Sequence, residues 1–123
     1  MNLLGIDYGT KRIGLAVAVS GIIETMGSIP SDSNTFTKIC EIVKSYRIGK
    51  IYVGISQGPV ALQTKNFVKK LGSVLQLPIE TVEEAVSTIE AEEIFKRNKG
   101  KRKEYGKNID SIAAAVILRR VLS

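Results

Sequence analysis

Leu3-Leu4-Gly5-Ile6-Asp7-Tyr8-Gly9-Thr10-Lys11-Arg12-Ile13-Gly14-Leu15-Ala16-Val17 reads as a strand, a tight turn and a second strand. Leu3, Leu4 and Ile6 form the short apolar run expected of a strand buried on both faces. Beyond the turn, Ile13, Leu15, Val17 and Val19 alternate with Arg12, Gly14, Ala16 and Ala18, the period of an antiparallel return strand. Asp7 therefore stands at the mouth of a β-hairpin. An acid is rarely buried there unless it is paired or binds metal. Gly9 leaves room for a tight turn or for the close approach of a ligand. The plainer alternative is a surface aspartate in a turn, but such residues seldom follow an apolar run.

Working outward, Ser20-Gly21 marks a turn, and residues 22–29 read as a third strand closed by Pro30. Asp32, Ser33 or Asn34 can cap a helix carrying Phe36, Ile39, Cys40, Val43 and Tyr46, which ends near Gly49. Ile51 to Ile55 reads as a buried strand. Phe67, Val68, Leu71, Val74 and Leu75 mark a second helix that must stop before Pro78. Ile79 to Val82 reads as a fifth strand, and Ser87-Thr88-Ile89-Glu90 as a capping box opening a helix with Ala91, Ile94 and Phe95. Ile109, Ile112, Ala113, Val116 and Ile117 define the last helix. The expected fold is α/β: one domain over residues 1–123, with a mixed five-stranded sheet flanked by helices. Three strands form an antiparallel meander, and two more run parallel. Ligands of such sheets collect at the carboxyl ends of the parallel strands.

Composition narrows the chemistry. The 123 residues contain no histidine, so no Ser-His-Asp or Cys-His machinery and no imidazole zinc ligand can exist. The single cysteine, Cys40, excludes an intramolecular disulfide and falls among apolar neighbours at helical spacing, as a core thiol does. No run of apolar residues is long enough to span a bilayer and no signal-peptide pattern is present, so the expected location is the cytoplasm, away from membranes. Acid–base or metal chemistry here has to rest on carboxylates.

Charge is unevenly distributed. The chain carries 18 Lys and Arg against 12 Asp and Glu, and residues 96–107 hold seven of the former and only Glu104 of the latter. The net charge of +6 thus equals that of one short, glycine-containing segment. A one-signed cluster of this kind attracts a polyanion, because every phosphate it neutralises releases counterions. Its plainer reading is a solvated loop.

Three acidic positions follow the predicted strand ends and helix start. Asp7 closes the first strand, Glu83 and Glu84 close the fifth, and Asp110 falls in the expected first turn of the last helix. Each alone has an ordinary explanation, since acids before a helix cap are solvated and acids in a first turn favour the macrodipole. Together they supply hard oxygen ligands from separate elements, the donor set of Mg²⁺ or Mn²⁺. Two such ions about 4 Å apart can activate a water and stabilise the leaving oxygen of a phosphodiester.

The run from Gly5 to Val17 resembles the opening motif of the YqgF family, also called RuvX. The similarity continues through Ile51-Tyr52-Val53-Gly54-Ile55, Val82-Glu83-Glu84-Ala85-Val86-Ser87-Thr88 and Asp110-Ser111-Ile112-Ala113-Ala114-Ala115-Val116-Ile117-Leu118, with the basic segment where the family has one. The resemblance implies a ribonuclease H-like nuclease that matures the 5′ end of pre-16S ribosomal RNA, free or on the ribosome. The family has also been described as Holliday-junction resolvases acting on DNA. It further implies that Asp7, Glu84 and Asp110 are the catalytic carboxylates holding Mg²⁺ or Mn²⁺, with Glu83 as a supporting or substitute ligand. Lys101, Arg102 and Lys103, extended by Lys11 and Arg12, are then the phosphate contacts.

Two departures from the family pattern stand out. Ala85 replaces an arginine usually found after the glutamate, and the loop after Ile55 is short. They leave room for a catalytically weak or silent RNA-binding module. The Asp-x-Gly-Thr of the hairpin also resembles the phosphate loop of actin-like and sugar-kinase ATPases, but those need a second such loop, and no second Asp-x-Gly-Thr is present. A monomer is expected, since the predicted helices have one apolar stripe each and the basic segment would repel its own copy across a twofold axis.

Overall fold

The computed structural model describes residues 1–55, 58–83 and 105–123, the side chains of 105–110 excepted. Five strands, β1 (Asn2–Asp7), β2 (Arg12–Val19), β3 (Ile22–Pro30), β4 (Ile48–Ile55) and β5 (Ile79–Glu83), form one sheet in the order β3-β2-β1-β4-β5. β1 pairs antiparallel with β2, and β2 with β3; β4 runs parallel to both β1 and β5. This is the expected mixed sheet, with β1 at its centre. The β2–β3 turn has positive φ at both Ser20 (53°) and Gly21 (81°), the primed geometry whose twist matches that of the strands it joins.

Helices α1 (Thr35–Ser45) and α2 (Val60–Val74) cover one face of the sheet, and α3 (Tyr105–Leu122) covers the other. Alternation along β1 divides its side chains between two cores. Leu4 and Ile6 join Ile13, Leu15, Ile51, Val53, Phe67 and Leu71 under α1 and α2. Leu3 joins Ala16, Ala18, Tyr52, Ala114, Ile117 and Leu118 under α3. Burying each large aliphatic side chain contributes about 1.5–3 kcal/mol. Lys50 pairs with Glu80 at 2.8 Å across β4 and β5 and lies 4.9 Å over the Tyr52 ring; the Glu80 hydrogen bond, then that of Tyr52, hold its ammonium above the ordinary lysine range.

Several boundaries differ from expectation. α1 ends at Ser45, and Gly49 lies inside β4, which begins at Ile48. The reversal comes instead at Arg47, with φ of 50°. No side chain caps α1 at Asn34. Asp32 Oδ1 accepts the Asn34 amide, while the buried Thr35 hydroxyl accepts the Asp32 amide and donates to the Pro30 carbonyl, closing that end from inside the helix. α2 begins at Val60, directly after Pro59, well before Phe67, its first buried apolar residue. α3 begins at Tyr105, so Asp110 falls in its second turn and not its first. Cys40 is half-buried. The expected helix after Ser87 and the shortened loop's Ser56 and Gln57 lie outside the described residues. Among the described residues no helix is long and apolar enough to cross a membrane.

Candidate functional site

Asp7 is the last residue of the central strand. Its register partners are Gly14 on β2 and Gly54 on β4, so neither residue paired directly with it carries a side chain. A strand carboxylate normally has cross-strand side chains within about 5.5 Å on each side. Here both directly paired positions are glycine. Alternation assigns Asp7 to the α3 face, with Leu3 and Gly5, and assigns Tyr8 to the α1–α2 face. The sequence pattern pointed to Asp7; the glycines paired with it became visible only with the register.

Gly5 and Gly9 shape the surroundings of Asp7. A Cβ on Gly5 would lie 2.7 Å from the Ala114 carbonyl oxygen and 2.8 Å from Leu118 Cγ, so glycine is what lets α3 sit directly on β1. A Cβ on Gly9 would collide with the Arg12 carbonyl oxygen, so the turn can fold back tightly only with glycine there. Lys11 and Arg12 are exposed at this same end of the sheet. The Lys11 carbonyl accepts the Ser31 amide at 2.9 Å, which ties the turn to the end of β3.

The other carboxylates are positioned in part. Glu83 ends β5, paired in register with Ile55, and alternation gives it the face opposite to that of Val82 and Asp7. Its carbonyl accepts a hydrogen bond from Arg120 of α3 at 3.2 Å, so the last turn of α3 is fastened to the end of β5. Glu84 follows directly but lies outside the described residues, as do Lys101, Arg102 and Lys103. Asp110 is part of α3, whose Ala114 and Leu118 seat the helix on Gly5; its side chain lies outside the described residues. In the second turn it is past the reach of the macrodipole, which weakens the ordinary reason for an acid there. No group of three potential ligands gathers among the described residues.

A family model described as "RuvX: Holliday junction resolvase" matches residues 1–123. The chain belongs to the RuvX family. Among its relatives, a "Putative pre-16S rRNA nuclease" of Halothermothrix orenii is 31% identical, the match covering 100% of this chain and 95% of the relative. One of the same name from a Sulfurihydrogenibium species is 35% identical over 98% of this chain and 89% of the relative. Among solved structures, Thermus thermophilus RuvC in complex with a Holliday junction superposes with a TM-score of 0.64 at 14% identity, over 99% of this chain and 93% of RuvC. The RuvX chain therefore has the ribonuclease H-like fold that its sequence resembled.

Proposed function

We propose that this RuvX protein is a divalent-metal-dependent nuclease that hydrolyses phosphodiester bonds in structured RNA, acting in the cytoplasm to mature the 5′ end of pre-16S ribosomal RNA. The observation that carries the reading is Asp7 at the carboxyl end of the central strand, flanked in register by Gly14 and Gly54. Asp7, Glu84 and Asp110 are the assigned metal-holding carboxylates. With no histidine and one half-buried cysteine in the chain, the available donors are hard oxygens, which fit Mg²⁺ or Mn²⁺ and suit neither zinc nor copper. When bound, such ions supply Lewis-acid stabilisation of charge on the phosphate and a water acidic enough to attack it. Asp7 fixes the position of that chemistry through a rigid strand, between the glycines Gly14 and Gly54. Lys11 and Arg12 contact backbone phosphates beside the hairpin, with Lys101, Arg102 and Lys103 extending the same role. Contacts of this class set register and orientation on the substrate without reading sequence.

The names of the relatives favour RNA over a DNA junction, in which paired cuts would call for two sites related by a twofold axis. The deciding measurement is cleavage of precursor ribosomal RNA, single-stranded RNA and four-way DNA junctions, with Mg²⁺, with Mn²⁺ and with chelator. Cleavage of the precursor that chelation stops, and that Asp7→Asn, Glu84→Gln and Asp110→Asn each abolish without loss of fold, is the expected result. Full activity in a folded Asp7→Asn protein overturns the mechanism. Paired nicks in the junction alone favour the resolvase, and binding without cleavage of any substrate identifies a silent RNA-binding module.

A further inference from the structure

The face of the sheet away from α3 carries features that the carboxylate site does not use. Between the start of α1 and the outer side of α2 lies a cavity of about 240 Å³, lined by Tyr8, Phe36, Phe67, Asn66 and Lys70 among others. The buried Phe67 ring lies 4.7 Å from that of Tyr8 and 5.5 Å from that of Phe36, so it backs the two half-buried rings that face the cavity. The volume is below the roughly 300–1,000 Å³ of sites that enclose a whole small molecule. It suits one planar group. The Asp32 carboxylate at the α1 end disfavours a phosphate there and favours a partner with N–H donors.

Asn66 and Lys70 also line a second, shallower cavity of about 290 Å³ with Lys69 and Ser73, so the two adjoin along α2. Residues 58–79 contain Lys65, Lys69 and Lys70 and no acid, and all three lysines are exposed. Overall charge balance outside the 96–107 segment conceals this local excess. The aromatic end of the groove is anchored beside the candidate carboxylate: Tyr8 follows Asp7 in the chain, their Cα atoms about 3.8 Å apart, on opposite faces of one strand end. A strand passing Asp7 can therefore continue over the sheet edge into the groove.

We propose that the α1–α2 groove binds the single-stranded RNA that flanks the scissile phosphate. One unpaired base enters the cavity against the half-buried rings of Tyr8 and Phe36, and the adjoining phosphates lie on Lys69 and Lys70. Stacking on aromatic side chains beside a cationic track is how unpaired strands are held, and unstacked bases are what proteins read in RNA. The inference rests on the nuclease reading only for which strand is bound, and is measured apart from it. The full chain in chelator, where no metal-dependent cleavage occurs, is titrated with a fluorescent single-stranded oligoribonucleotide and with the same sequence as a duplex. The oligonucleotide also carries 5-iodouridine for photocrosslinking. For Lys69→Gln/Lys70→Gln, both surface changes, the expected result is a single-strand salt slope lower by about 1.4, from two lost phosphate contacts, with duplex binding little changed. Crosslinks map to Tyr8 or Phe36. An unchanged slope, or crosslinks confined to residues 96–107, overturns the proposal, whatever the cleavage assay shows.

Discussion

Gly5 has no room for a side chain, and the obstacle is backbone. In an open strand, alanine is favoured over glycine by roughly 0.5–1 kcal/mol. Here an added Cβ meets the Ala114 carbonyl oxygen at 2.7 Å, which can recede only if α3 moves as a body. Overpacking of this kind costs about 1–3 kcal/mol, so the clash decides the sign. Gly5→Ala is expected to lower the urea midpoint while leaving the slope of the transition unchanged. Because α3 also carries Asp110, cleavage should fall in the same variant under conditions where it is still folded. A midpoint equal to or above that of the parent protein would mean that α3 is not seated on Gly5. At this scale Asp7 was legible because a lone carboxylate after an apolar run is conspicuous. Gly14 and Gly54 were not, since their effect depends on cross-strand register, which one strand's pattern does not contain.

Among the elements, the hairpin was the most readable. Strict alternation over residues 12–19 and the Ser20-Gly21 turn leave little freedom of assignment, and the observed β2 has the expected bounds. The start of β4 was not readable, because Gly49 looks like a helix stop while the left-handed backbone falls on Arg47. α2 was half seen, because its first turn has no acidic residue and no side-chain cap to announce it. The basic segment at 96–107 carries its own expectation. Neutralising Lys101, Arg102 and Lys103 together should weaken binding to single-stranded and duplex RNA alike, and lower the salt slope on duplex by roughly 2.7. That separates it from the lysines of α2, whose effect is confined to unpaired strands. An unchanged slope would show the three side chains to be solvated and idle. The candidate carboxylates were legible as a set from the strand and helix ends, but those ends left Glu83 and Glu84 equivalent; the family motif singled out Glu84, and alternation along β5 gives Glu83 the face away from Asp7.

The molecule as a whole bears on whether one copy or two act together. A stable dimer buries about 1,200–2,000 Å² in total, with an apolar centre. The exposed large apolar side chains among the described residues are Met1, Ile22, Leu62, Val74 and Leu122, only two of which share an element. Leu62 and Val74 share α2 but stand about 18 Å apart along its axis, with Lys65, Lys69 and Lys70 between them. A twofold contact through α2 would bring those lysines against their own copies with no acid in residues 58–79 to offset them. Like charges so placed cost several kcal/mol at an interface. The expected state at micromolar concentration is therefore a monomer, cutting one strand per encounter. Sedimentation velocity at low and at 0.5 M salt is the measurement. A single species near the 13.4 kDa of the chain at both salts is the expected outcome. A dimer that tightens as salt screens the lysines would show that the α2 face is an interface. It would restore the paired geometry that a four-way junction requires, and close the α1–α2 groove to single-stranded RNA.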